Sequence, residues 1–220
     1  MLALFTKTTD KNLAYHVTED FISVDNAREE LSKKYNFDIK KLHYMNQIHS
    51  NIVKTISSKS NIQTCDALIT NQKNTPLLVM VADCIPILFY DKAAQVIGVA
   101  HAGRVGTFEN ISAKTIKKMI EEYNCLASNI EVILGPSIQK CCYEVSSEMA
   151  QEVTSNFGKE FVYKRNIDLQ GINKKQLFQI GILEENIKIS DICTKCSNQP
   201  YFSYRKDKSC GRFAGLIMLQ

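Results

Sequence analysis

Residues 76–103, PLLVMVADCIPILFYDKAAQVIGVAHAG, are the most apolar part of the chain and hold its central strands. Two continuous apolar runs, 76–82 and 85–90, are separated only by Asp83-Cys84. A third run, 95–100, follows across Asp91-Lys92-Ala93-Ala94. Continuous rather than alternating hydrophobicity predicts strands buried on both faces. The short polar link predicts that 85–90 and 95–100 form a hairpin.

Moving toward the C-terminus, Thr107 is expected to cap a helix running to 123. Phe108, Ile111, Ile116, Met119, Ile120 and Tyr123 recur on its inner face. A strand is expected over 130–134, ending at Gly135-Pro136. A helix over 147–157 should stop at Gly158, and a second over 169–180 should start at Asp168 and end at Gly181. The alternation in 201–205 and 212–219 predicts an antiparallel closing pair. Moving toward the N-terminus, 25–35 reads as a helix with Asp25 or Asn26 near its cap and Leu31 buried. Residues 41–55 read as two short strands around a tight link. Neither repeats nor a Pro/Gly/Ser-rich linker divides the chain. The expected fold class is therefore α/β (mixed α+β): a single domain over 1–220, a sandwich around a mixed, largely antiparallel sheet.

Composition narrows the function classes. With 45% apolar and 23% charged residues among 220, the chain is neither disordered nor fibrous. Its apolar runs fall far short of the roughly 20 residues that span a bilayer. The N-terminus has no signal-peptide pattern, so a cytoplasmic location with reduced thiols is expected. Residues 164–212 hold ten Lys/Arg against five Asp/Glu. That excess suits a small anion such as phosphate and is too dilute for a nucleic-acid footprint.

The unusual entries are eight cysteines beside only four histidines. Three segments set a soft or borderline metal ligand next to a strand end, contributing His49, Cys84 and His101. The hairpin brings Cys84 and His101 to the same end of the sheet, while His49 must arrive from a separate strand. Two imidazoles and a thiolate suit Zn²⁺ and leave a fourth tetrahedral position open. Cys193 and Cys196 form a lone CxxC, and the adjacent Cys141 and Cys142 are poorly placed to chelate one ion together. These four, with Cys65, Cys125 and Cys210, read first as buried or incidental thiols. Gly103 and Gly106 before Thr107 serve equally a tight strand-to-helix turn or an anion facing a helix start.

Taken together, the segments 46–49 (NQIH), 65–70 (CDALIT), 82–86 (ADCIP) and 100–103 (AHAG) resemble a known family. The resemblance continues through 134–138 (LGPSI), 141–145 (CCYEV), Asp168-Leu169, Cys193-Thr194, 202–205 (FSYR) and Gly211-Arg212. It is to the YfiH-type family, labelled laccase-like or multicopper polyphenol oxidase and described as zinc-dependent purine nucleoside phosphorylases. The resemblance puts the metal ligands on His49, Cys84 and His101. It implies a mixed α/β sandwich that phosphorolyses adenosine, inosine, guanosine and methylthioadenosine and deaminates adenosine. Its partners would be a purine nucleoside and inorganic phosphate, with no nucleic acid or membrane. Some relatives are also assigned peptidoglycan editing. The chain departs from the family pattern at Arg104-Val105, where Trp-Arg is usual, and in a reduced N-terminal block at 6–10.

For these reactions Cys84, His101 and Asp83 are the expected catalytic residues, with Asp83 as a proton shuttle. Gln47, Arg104, Cys142, Arg205 and Arg212 are expected to face nucleoside or phosphate; an arginine grips phosphate bidentately. Two rivals stand beside this reading. A metal-independent hydrolase would use Cys84 as nucleophile and His101 as base. A non-catalytic protein with a structural zinc would not use the open position. Four histidines are too few for a multicopper centre, so copper is not expected.

Overall fold

The computed structural model describes residues 1–56 and 62–220. In chain order it runs from β1 (Leu2–Phe5) to α1 (Phe21–Tyr35), then β2 (His43–Asn46), β3 (Val53–Thr55), β4 (Ile62–Thr64) and β5 (Ala67–Thr70). The central block follows as β6 (Leu77–Val81), β7 (Ile85–Asp91) and β8 (Val96–Ala102), leading into α2 (Arg104–Phe108) and α3 (Ile111–Tyr123). Then come β9 (Ile130–Leu134), α4 (Ser147–Asn156), β10 (Val162–Tyr163) and β11 (Asn166–Ile167). The chain closes with α5 (Leu169–Gln179), β12 (Ile187–Ile189) and β13 (Phe213–Met218).

The strands divide into two stacked sheets, ordered β1-β13-β6-β2-β4 and β12-β9-β7-β8-β5-β3, with β10-β11 as a small ribbon. Period-two alternation sorts the apolar runs into three cores. Leu77, Val79, Val81, Leu88, Ile97 and Val99 meet between the sheets. Leu78, Met80, Ala214 and Leu216 face outward onto Ala27 and Leu31 of α1. Ile85, Ile87, Phe89, Val96 and Ala100 face the opposite way, onto Ile116 and Met119 of α3 and Ile172 of α5. A helix layer on each outer face is why these strands carry no polar alternation. The arrangement is the expected mixed sandwich, built from two sheets rather than one. β7 and β8 form the expected hairpin, with Ile85 opposite Ala102 and Asp91 opposite Val96. β6 and β7, although adjacent in sequence, lie in different sheets, so Asp83-Cys84 is the crossing between them.

Four local expectations are corrected. α1 starts at Phe21, because the Asp20 carboxylate accepts the Ser23 N–H at 3.0 Å; Asp25 and Asn26 lie inside it. The exposed Phe21 and Ile22 hide that start from any apolar-face reading. The helix over 107–123 is broken. Thr107 lies inside α2, and Asn110, at φ 63°, separates α2 from α3; asparagine tolerates this left-handed conformation. Gly158 has φ 122° and ψ 153°, extended in the mirror region rather than a left-handed cap. Residues 201–205 form no strand. β13 is buried on both faces and pairs instead with β1 and β6, and Tyr201 packs its ring edge-on to Phe213 at 4.9 Å.

Candidate metal centre and active site

Three chain segments bring His49, Cys84 and His101 together. His101 sits on β8, opposite Pro86 in the hairpin register, so Cys84 at the head of β7 lies beside it. His49 comes from the turn after β2 and has φ 57°. The ligand atoms of the three lie within 4.8 Å of one another, and the two imidazole rings are 4.8 Å apart at 73°.

The turn carrying His49 is shaped by a carboxylate that sequence reasoning passed over. Asp66 is fully buried and accepts the backbone N–H groups of Ile48, His49 and Ser50 at 3.2, 3.1 and 2.7 Å. It also accepts the Ser50 hydroxyl at 2.7 Å and faces His101 Nδ1 at 2.8 Å. Successive N–H groups wrapped around one anion form a nest, which accounts for the left-handed backbone at His49. One carboxylate thus fixes the loop of one imidazole and the tautomer of the other, leaving His101 Nε2 free to coordinate.

Charge follows from this geometry. Burial works to raise Asp66, but the His101 and Ser50 hydrogen bonds outweigh it and hold the carboxyl at about 2. Burial likewise opposes charge on Cys84 and His101. Their mutual attraction outweighs it, pulling the thiol below its ordinary range and the imidazole above. The metal-free pair is a thiolate facing an imidazolium.

This donor set fits a small metal ion. A Cβ built on Gly103 would stand 3.0 Å from Cys84 Sγ, 3.3 Å from His49 Cδ2 and 3.8 Å from His101 Nε2. The glycine therefore preserves the space onto which all three ligands converge. A tetrahedral ion held by these three donors would keep one coordination position unfilled by protein.

That cavity, about 450 Å³, falls within the range of small-molecule sites. Arg104 at the start of α2, Arg205 and Arg212 all line it. Arg205 lies over the Tyr143 ring at 5.1 Å and donates to Glu144 O at 3.0 Å. Arg212 is held by Cys210 O at 2.8 Å and Gly211 O at 3.1 Å.

The other three expected residues are tied into the fold. Gln47 lines the cavity, but its carboxamide exchanges two hydrogen bonds with the Met80 backbone, at 2.8 and 2.9 Å, extending the β2–β6 ladder. That exchange uses its oxygen and one of its two N–H groups, so it braces the wall. Both oxygens of Asp83 are also committed, to Thr194 Oγ1 at 2.6 Å and Arg205 N at 2.7 Å. At φ 89° it straps the Arg205 segment to the sheet crossing, which is a positioning geometry rather than a free proton shuttle. Cys142 does not line the cavity. The turn at 139–142 points its sulfur instead toward Cys141, Cys193 and Cys196. Those four cysteines are clustered, which corrects their reading as incidental thiols.

Two cavity residues, His16 and Tyr143, were given no role from sequence. His16 lies in a single 3₁₀ turn, Tyr15–Val17; burial first and Arg212 next lower its pKa, so it stands neutral. Tyr143 belongs to the 141–145 block without a role of its own there; burial and then the Cys84 thiolate raise its hydroxyl against the pull of Arg205 and Arg104. Asp66 did carry a signal, since the CDALIT block contains it, but its role needs the fold.

Residues 6–220 match the family model described as multi-copper polyphenol oxidoreductase laccase. A purine nucleoside phosphorylase of Clostridium acetobutylicum is 36% identical over 222 aligned residues, covering 98% of this chain and 91% of the relative. The crystal structure of YlmD from Geobacillus stearothermophilus superposes with a TM-score of 0.88 at 26% identity, over 95% of this chain and 84% of that one. A Bacillus licheniformis hypothetical protein, YfiH, shares the fold with a TM-score of 0.91 at 24% identity, over 99% of this chain and 92% of that one. Among the described residues, no helix is long and apolar enough to cross a membrane.

Proposed function

The chain belongs to the multi-copper polyphenol oxidoreductase laccase family, and from its site we propose that it is a zinc-dependent purine nucleoside phosphorylase. The observation that carries this reading is a two-histidine, one-cysteine donor set lining the same cavity as three arginines. We assign it adenosine, inosine, guanosine and methylthioadenosine as substrates, adenosine deamination as a second activity, and one cytoplasmic domain as its form.

Phosphorolysis joins a phosphate oxygen to the anomeric carbon and breaks that carbon's bond to the purine nitrogen, giving free base and pentose 1-phosphate. Arg104, Arg205 and Arg212 hold the phosphate; guanidinium forks match its oxygens and stay charged at all working pH values. Tyr143, stacked under Arg205, limits where that arginine can move. Asp66 fixes His101, and Asp83 fixes the Arg205 segment, so neither group needs to reorganise during turnover. Neutral His16 supplies a hydrogen-bonding edge to the purine without adding charge. When bound, zinc would supply Lewis-acid polarisation at its open position.

A specific observation also favours a second reading. Asp66, His101 and Cys84 form an acid–imidazole–thiol relay that serves a metal-independent hydrolase, including one acting on peptidoglycan. One experiment separates the two. The purified protein is incubated with the four nucleosides, with and without phosphate, and the base and pentose 1-phosphate are quantified before and after exhaustive chelation. The phosphorylase reading requires phosphate-dependent release that chelation abolishes and zinc restores. Phosphate-independent cleavage that survives metal removal would overturn it in favour of the hydrolase.

A further inference from the structure

Cys141, Cys142, Cys193 and Cys196 lie outside the cavity, and no step of the proposed reaction uses them. We propose that they form a second, closed metal site, a zinc tetrathiolate that staples the 190–212 segment to the turn at 139–142.

Geometry carries the assignment. The four sulfurs lie within 4.8 Å of one another, with Cys141 and Cys196 at 3.6 Å. Four sulfurs at tetrahedral corners, each about 2.3 Å from zinc, stand about 3.8 Å apart. Small side-chain rotations therefore close the observed cluster onto an ion. A disulfide would join only two of the four and gives no reason for the other pair to be there.

Local backbone explains how adjacent cysteines can both point inward. Cys142 N and Tyr143 N both donate to Gln139 O, at 2.8 and 2.9 Å, curling 139–143 into a tight turn. The CxxC forms a matching knuckle, with Ser197 N donating to Cys193 O at 3.0 Å. Backbone N–H groups of Gln139, Lys195 and Cys196 are directed at the Cys193 sulfur, and such donors stabilise a thiolate. The two halves are pinned by a bridge between Ser137 and Cys193 and by Thr194 N donating to Ser137 O at 3.1 Å.

Donor chemistry selects the metal class. Four thiolates without imidazole or carboxylate suit zinc, and a full coordination shell makes the site structural rather than catalytic. On binding, four thiols release four protons to solvent, leaving a complex of two negative charges that Lys140 and Lys195 adjoin in sequence.

The staple has a defined consequence. Residues 190–212 contain neither helix nor strand, and so long an irregular run in a compact fold needs anchoring. That run supplies Thr194 to Asp83 and carries Tyr204, Arg205 and Arg212 into the cavity wall. Cys193 precedes Thr194 directly, so a metal at the cluster holds the strap that positions Arg205.

The test is metal counting on protein purified under reducing conditions. Two zinc equivalents per chain are expected. The double substitution Cys141→Ser/Cys196→Ser should lose one and Cys84→Ala the other, each leaving its counterpart in place. Faster amide exchange across 190–212 is expected only in the double variant. Because that variant can misfold, the unaltered protein is also alkylated with and without zinc, and modification is mapped by peptide mass. Zinc should protect all four cysteines. Equal alkylation rates in both states, a double variant that keeps the parent's full zinc content, or a Cys141–Cys196 disulfide in protein never exposed to oxidant would each overturn the proposal.

Discussion

Replacing Asp66 by asparagine removes one charge and almost no volume, so its effects isolate what the carboxylate does. Oδ2 accepts from Ile48 N, Ser50 N and Ser50 Oγ, and Oδ1 accepts from His49 N and faces His101 Nδ1. Asparagine keeps one acceptor. With its oxygen left toward Ser50, its NH₂ points at two donors, His49 N–H and His101 Nδ1–H. The imidazole then relieves the clash by giving up its Nδ1 proton and keeping the one on Nε2, the atom that would face the metal.

Two magnitudes follow. Losing two hydrogen bonds to a charged acceptor, at about 1.5–3 kcal/mol each, costs at least about 3 kcal/mol. For a chain of 220 residues that lowers Tm by about 6–12 °C. Loss of a carboxylate behind a metal-binding histidine weakens metal affinity by about 10–100-fold. The assays are zinc competition against a chelator and thermal unfolding of the metal-free protein.

Acid unfolding supplies a third readout. Asp66 is held at about 2, against 3.8 for the ordinary carboxyl. A depressed folded-state pKa stabilises the protein fully above about pH 4, and that stability is lost as pH falls toward 2. The shift corresponds to about 2.5 kcal/mol. The asparagine variant should lack this portion of the acid-induced loss. Zinc affinity and acid sensitivity both indistinguishable from the parent would refute the role given to Asp66.

Three further outcomes are expected. In the metal-free protein, Cys84 should react with iodoacetamide with a midpoint of about 6, well below the ordinary thiol value of 9.0, and zinc should block the reaction; a midpoint at the ordinary value would contradict the thiolate–imidazolium pair. Gly103→Ala should leave circular dichroism unchanged, because φ −74° and ψ −174° suit alanine, yet it should expel the metal, because the new Cβ lies 3.0 Å from Cys84 Sγ; full zinc content would show the cradle to be irrelevant. Arg205→Lys should raise the phosphate KM about 10-fold, the equivalent of one lost charge-assisted hydrogen bond, with a smaller effect on nucleoside KM. Equal effects on both substrates would place Arg205 away from phosphate.

The readings that held were local. The apolar runs at 76–82, 85–90 and 95–100 betray strands because burial on both faces removes polar residues from both alternating positions. The hairpin link then puts Cys84 and His101 at one end of the sheet with no further information. The readings that failed depend on contacts between distant segments. The start of α1 is marked by a cap while its first apolar residues face solvent, and the helix over 107–123 is broken by a single left-handed asparagine. Asp83 looks like a free polar group in sequence, yet the fold commits both its oxygens, to Thr194 and Arg205.

By itself the sequence determined the sandwich, two of the three metal donors at one strand end, and the family likeness, because each rests on residue type at short spacing. It took the folded chain to show that Asp66 organises both histidines, that His16 and Tyr143 enter the cavity, and that Cys141 and Cys142 meet Cys193 and Cys196. The physical reason is that a buried charge or a thiol cluster is defined by what surrounds it. For these residues the surroundings come from both sheets and from an irregular segment held against them.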